Sequence, residues 1–128
     1  MNGIVAFGAY VPRLRLQREA VVRANAWFDG SLAAHRAGER AMCNFDEDAV
    51  TMAVEAARDC LGALDAAKVD DLQLASTSLP YASRLNASIV AQALNLGEEV
   101  GAIDVTGSQR GATSALMQAL RGGAGRRT

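Results

Sequence analysis

Val100-Gly101-Ala102-Ile103-Asp104-Val105 runs directly into Thr106-Gly107-Ser108-Gln109-Arg110-Gly111, and Ala112 to Leu120 continues with small and aliphatic side chains. The first six residues form a short apolar run of strand length. The glycines at 107 and 111 mark a tight turn, and the stretch from about Arg110 to Leu120 reads as a helix stopped by Gly122 and Gly123. A strand that feeds a helix through a glycine-flanked turn is the repeating step of α/β proteins.

Upstream, the same alternation recurs. Asn86 to Leu96 reads as a short helix with Ile89, Val90, Ala93 and Leu94 on one side and Gly97 beyond its end. Asp71 to Thr77 reads as a strand, followed by a loop through Pro80 and Tyr81. The clearest helix runs from about Phe45 to Leu64, where Val50, Ala53, Val54, Ala57, Cys60, Leu61 and Leu64 recur at three and four residues. Asn44 is the expected N-cap, with Glu47 completing a capping-box-like pair. Asp46, Glu47 and Asp48 then crowd the first turn, where the helix dipole favours negative charge, a simpler reading than a metal site.

Towards the N-terminus, Asp29 to Met42 reads as a loop with a helical turn and holds the only histidine, His35. About Gln17 to Trp27 is expected to be helical. Gly3 to Tyr10 reads as a buried strand limited by Pro12. The order β-α-α-β-α-β-α predicts an α/β fold with a mainly parallel sheet. Its three-stranded core is expected from the segments near Ile4, Leu74 and Ile103. Residues 121–128 are expected to be flexible by composition.

Composition removes several function classes. The 128 residues suit one ordinary domain, and 13 Lys and Arg against 14 Asp and Glu give a net charge of −1. That balance offers no field for nucleic acid or an anionic membrane, so neither is expected as a partner. No apolar stretch approaches membrane-spanning length, and the start, Met1-Asn2-Gly3-Ile4-Val5, lacks the basic and apolar regions of a secretory leader. A cytoplasmic location follows as the default. Cys43 and Cys60 match no zinc spacing, and no metal or bound cofactor is expected. Cys60 falls on the apolar helix face and is expected to be inert, and Cys43 is the more reactive thiol. Aromatic residues make up only 5% of the chain. An Ala-rich final helix therefore leaves apolar surface that needs a partner, so self-association is expected.

The turn before the last helix is where chemistry can sit. A residue at this point meets backbone N–H groups and the positive end of the helix dipole, which suits an anion or a developing oxyanion. Here the residue is Gln109. A thiol there would be activated, but an amide can only donate and accept hydrogen bonds. The Gly-Lys-Ser/Thr ending of a phosphate loop is absent. Gly107, Gly111, Ala112, Ser114 and Ala115 equally fit a plain structural role, in which small residues let a buried helix approach its neighbours.

Several segments in order resemble the N-terminal region of 3-hydroxy-3-methylglutaryl-CoA synthase-like proteins of the thiolase superfamily. They are Gly3 to Pro12, Gly38 to Ala41, Asn44 to Ala57, Leu74 to Pro80, Ile103 to Ser108 and Arg110 to Leu116. The resemblance implies an incomplete N-terminal half of a thiolase-like fold over residues 1–128, ending before the fourth strand of that half. The complete fold has two similar halves, each a five-stranded mixed sheet with helices. Its members join or transfer acyl groups carried as thioesters of CoA or an acyl carrier protein, so such a thioester is the implied substrate class. By resemblance the family's cysteine nucleophile falls on Gln109 and the glutamate base of the true synthases falls near Thr77. The catalytic histidine belongs to the second half, and His35 does not match it.

The thiol, the carboxylate and the histidine are thus all absent from their expected places. The implied function is an N-terminal segment of a synthase-like acyltransferase, inactive alone, working as a homo-oligomer or with a complementing thiolase-like chain. Two alternatives stay open. One is a non-catalytic subunit of an acyl-CoA condensing complex. The other is a thioester decarboxylase within a completed fold, since a glutamine at this position accompanies decarboxylation in related ketosynthases. By the same resemblance, Val100 to Val105 is the expected contact across a dimer axis.

Overall fold

The computed structural model describes residues 3–62, 64 and 66–122. These residues make two compact units. Val11–Glu47 is one, and the chain up to Tyr10 together with the chain from Asp48 onward is the other. The expectation of a flexible tail falls largely on residues 123–128, outside the described residues.

The larger unit is built on helix α2, Ala49–Leu61. Asp48 caps it by accepting hydrogen bonds from the N–H groups of Val50 and Thr51 at 2.9 and 2.8 Å, while Thr51 Oγ1 accepts from Asp48 N–H at 2.8 Å. This reciprocal pair satisfies N–H groups that the helix itself leaves open. It corrects the expected start at Asn44. The Asn44–Glu47 pair does form, with Glu47 Oε2 accepting from Asn44 N–H at 2.7 Å, but it closes a turn ahead of the helix. The acids at 46 and 47 therefore precede the first helical turn, and only Asp48 meets the helix end directly.

Two strands, β3 (Asp71–Ala75) and β4 (Gly101–Val105), pair in parallel with Asp71 opposite Gly101 and Ala75 opposite Val105. Helix α3, Asn86–Ala93, makes the crossover between them. Parallel neighbours require such a crossover, because a tight turn cannot return the chain to the same end. Strand pleating puts residues 72 and 74 on one face and 71, 73 and 75 on the other. On the first face Leu74 joins Val50, Val54, Ala87 and Val90 in the buried core between strand and helices. The second face carries helix α4, Gly111–Gly122, which buries only Gly111 and Ala115. A cleft of about 1130 Å³ remains beside it, lined in part by Gln73, Ile103, Ala112 and Leu116. Gln73 Oε1 is buried there without a hydrogen-bond partner among the described residues.

The expected third strand does not form. Gly3 to Tyr10 joins neither ladder, and Val5 and Phe7 are 93% and 90% exposed. The segment is fixed to α2 instead. Ala9 N–H donates to Asp59 Oδ2 at 2.9 Å, and Gly8 lies so close to the helix that a Cβ there would stand 2.6 Å from Ala56 O and from Cys60 Cα. An apolar run is realised as a buried strand only where a sheet edge accepts its hydrogen bonds and an apolar layer covers it. Anchoring to α2 supplies neither.

The smaller unit departs further from expectation. β1 (Leu14–Gln17) and β2 (Glu39–Met42) pair antiparallel, with Leu14 opposite Met42 and Gln17 opposite Glu39. Between them lie α1, Arg18–Asn25, and a 3₁₀ helix, Gly30–His35. The helix expected over 17–27 is thus shorter, and the end of the expected loop over 29–42 is a strand. The pairing joins segments that the sequence separates, through Gln17 Nε2 donating to Glu39 Oε2 at 2.9 Å and Arg18 N–H donating to Gly38 O at 3.0 Å. Such contacts leave no local periodicity. No described residue of this unit is buried, and Trp27 and Phe28, both largely exposed, meet edge to face, 5.9 Å between ring centres.

Candidate functional site

The candidate site lies where β3 and β4 end. In parallel α/β sheets the carboxyl ends of the strands open onto the loops that bind ligands. Ser76 N–H donates to Val105 O at 3.1 Å, extending the ladder one residue past Ala75. Thr77 follows immediately and is exposed. Ser78 N–H donates to Ser76 Oγ at 3.1 Å, so a short serine turn wraps around Thr77.

From β4 the chain turns through Gly107, whose φ of +83° is a left-handed conformation that glycine adopts without steric cost. Ser108 then organises the start of α4, accepting from Arg110 N–H through its hydroxyl at 3.1 Å and from Gly111 N–H through its carbonyl at 2.9 Å. Arg110 O accepts the first helical bond, from Ser114 N–H at 2.9 Å. Gln109 therefore sits two positions ahead of the first helical residue and is exposed. Gly111 is buried against β4, where a Cβ would stand 3.4 Å from Val105 O. The close-packing role of this glycine and the helix-terminal position of Gln109 thus occur together.

The parallel register brings Thr77 and Gln109 to the same edge of the sheet. It does not enclose them. Two clefts beside α4, one lined by β3, β4 and that helix and the other by Arg110 and the helix, include neither Thr77 nor Gln109 in their lining. His35 lies in the other unit, at the end of the 3₁₀ helix. Among the described residues no group of three or more His, Cys, Asp or Glu side chains is placed to hold a metal ion. None of the described helices is long and apolar enough to cross a membrane.

Between the two loops lies a polar pair that periodicity alone does not single out. Asn86, 1% exposed, is the buried polar residue among the described residues. Asp104 points from β4 at the start of α3. Its Oδ1 accepts from Ala87 N–H at 2.7 Å, and its Oδ2 accepts from Asn86 N–H and Asn86 Nδ2, each at 2.8 Å. Burial pushes the Asp104 carboxyl up, but the hydrogen bonds from the Asn86 side chain and from the two backbone N–H groups outweigh it and hold the carboxyl below the usual carboxylate range. The sequence signal was present. A lone carboxylate inside the apolar strand Gly101–Val105 needs partners, and the nearest unpaired donors in such a fold lie at a helix start.

No family model matches the chain. In sequence it is 36% identical over 123 residues to the hydroxymethylglutaryl-CoA synthase of Pyrobaculum calidifontis, covering 92% of this chain and 35% of that protein. The hydroxymethylglutaryl-CoA synthase of Methanobrevibacter smithii is 34% identical over 125 residues, 94% of this chain and 36% of that protein. The chain thus spans about a third of the length of the curated relatives it matches. In structure it resembles MvaS in complex with 3-hydroxy-3-methylglutaryl coenzyme A, with a TM-score of 0.79 and 26% identity over 95% of this chain and 30% of that one. A 3-oxoacyl-(acyl-carrier-protein) synthase III shares the fold at a TM-score of 0.77 and 24% identity, over 95% of this chain and 38% of that one. The chain is thiolase-like in fold and hydroxymethylglutaryl-CoA synthase-like in sequence, and what it matches is the N-terminal part of such a protein.

Proposed function

We propose that residues 1–128 act as the N-terminal segment of a hydroxymethylglutaryl-CoA synthase-like acyltransferase that handles acyl thioesters of CoA or an acyl carrier protein, and that the chain is inactive alone. The observation that carries this reading is the 36% identity over 92% of the chain. The relatives matched are synthases by name, and the segment includes the strand-turn-helix step at 101–122. Gln109 takes the family nucleophile position in this reading, with Thr77 near that of the base. An amide and a hydroxyl replace a thiol and a carboxylate, so neither covalent capture of an acyl group nor proton abstraction has a competent side chain. Working in the cytoplasm as a homo-oligomer or with a complementing thiolase-like chain is part of the same proposal. The open cleft beside α4 and the exposed Val5 and Phe7 support a need for such a partner.

Gln109 itself favours a second reading, a decarboxylase of acyl thioesters within a completed fold. An amide at a helix N-terminus can hydrogen-bond a thioester carbonyl without attacking it. The two readings separate in one experiment. The chain alone, and the chain with a candidate complementing chain, are incubated with acetyl-CoA and with malonyl-CoA, and intact mass and released carbon dioxide are followed. The leading reading expects no acetyl adduct on this chain and no turnover by it alone. An acetyl adduct or condensation by the isolated chain would overturn it, and carbon dioxide release from malonyl-CoA in the complex would move the assignment to decarboxylation.

A further inference from the structure

Beyond the main-chain bond from Ser76 N–H to Val105 O, the loop that carries Thr77 and the strand that leads to Gln109 are joined by one buried side chain, Asn86. Asn86 Oδ1 accepts from Tyr81 N–H at 3.1 Å, and its Nδ2 donates to Tyr81 O at 2.9 Å, to Arg84 O at 3.3 Å and to Asp104 Oδ2 at 2.8 Å. The 76–85 loop is thereby tied to β4 through the Asn86 amide. Asparagine is the residue this position requires. One amide oxygen must accept from the loop while one amide nitrogen donates both to the loop and to a carboxylate. Aspartate at 86 would set a second carboxylate against Asp104, and an aliphatic residue would leave Asp104 and the Tyr81 peptide short of partners. Asp104 reinforces the tie by holding the start of α3, the element that begins where the loop ends.

We infer that Asn86 and Asp104 are a positioning pair that fixes the loop bearing Thr77 at one spacing from the turn bearing Gln109, so that a thioester meets both from a preset geometry. The spatial lock depends only on the hydrogen bonds above. Its use for a thioester rests on the proposed function. Preset geometry matters at such an edge because ordering a mobile loop at the moment of binding weakens affinity.

The test places spin labels at positions 77 and 109 of the full chain, with Thr77→Cys and Gln109→Cys in a Cys43→Ser, Cys60→Ser background, and reads the distribution of label separation. A narrow distribution is expected for this parent. Asn86→Ala and Asp104→Asn are expected to broaden it at least twofold while a label pair on α2 and α3 keeps its spacing. Loss of stability in a chain that is still folded would not by itself broaden the first pair alone. Equal widths in the parent and both folded variants would overturn the inference. Broadening of both pairs together, or failure of both variants to fold, would also overturn it, because the pair would then hold the core as a whole. Binding of acetyl-CoA is measured on the same proteins. Selective broadening with no acetyl-CoA bound by any of them keeps the lock and removes the thioester reading. Binding that is equally tight in locked and unlocked chains removes the functional part of the inference.

Discussion

Asp104 accepts from Asn86 twice, through the main-chain N–H and through the side-chain amide, both at 2.8 Å on the same carboxylate oxygen. With Ala87 N–H at 2.7 Å on the other oxygen, one strand carboxylate caps α3 from outside its own segment. The residue before α3, Leu85, has no side-chain oxygen to do so.

This capping makes stability pH-dependent in a definite direction. The Asp104 carboxyl is held below its ordinary value of 3.8 in the folded chain. The unfolded chain therefore takes up the proton first as pH falls. The stabilisation is present above that ordinary value and is lost as pH drops through the lower folded value. Asp104→Asn is expected to remove this part of the acid dependence and to reduce stability near neutral pH by about 1–3 kcal/mol, since one or more donors of α3 lose their acceptor. Urea unfolding at several pH values between neutrality and strong acid checks both effects. An unchanged acid limb in the variant would contradict the assignment.

Asp48→Ala removes the side-chain acceptor shared by Val50 and Thr51 N–H. The expected loss is about 1 kcal/mol, up to about 2. Asn44→Ala is expected to cost much less, because Asn44 contributes a backbone N–H and carbonyl to its turn with Glu47. Comparing the two denaturation midpoints tests where the helix begins.

Gly8→Ala is expected to displace the Gly3–Tyr10 segment from α2. The atoms an added methyl would meet are the backbone of Ala56 and Cys60, which cannot rotate away. A cost of about 1–3 kcal/mol follows from such overpacking. The segment's own amides, Ala9 N–H above all, should then exchange faster than those of α3. A variant as stable as the parent, with Ala9 still protected, would show that the close approach is absent.

Gln109→Cys, in a chain with Cys43 and Cys60 replaced by serine, asks whether the turn still favours an anion. Position 109 is exposed and precedes α4 by two residues. A helix dipole contributes about 0.3–1 kcal/mol at such a site, so the thiol pKa should fall by about half a unit below an ordinary thiol near 8.5. The pH dependence of alkylation reads it directly. A value above the ordinary thiol would mean that the turn offers no favourable field, and carbon–carbon bond formation by this variant alone would overturn the proposal that the chain is inactive alone.

Local order dictated what the sequence could announce. The three- and four-residue recurrence from Val50 to Leu61 specifies α2, because a helix brings those positions to one face. The strand-helix-strand alternation from Asp71 to Val105 specifies a parallel pair, and with it the placing of Thr77 and Gln109 at one end of the sheet, since parallel strands share a carboxyl edge. Only tertiary structure decided the rest. Gly3 to Tyr10 reads as a strand by composition, yet a strand exists through its neighbour's hydrogen bonds, and here the segment is held by Asp59 and the backbone of α2 instead. The pairing of Leu14–Gln17 with Glu39–Met42 joins segments too far apart in sequence to leave a period. Asn86 and Asp104 lie on separate elements, and a buried amide and a carboxylate become partners only once β4 and the start of α3 are packed together, because the hydrogen bonds that satisfy them are made across space and not along the chain.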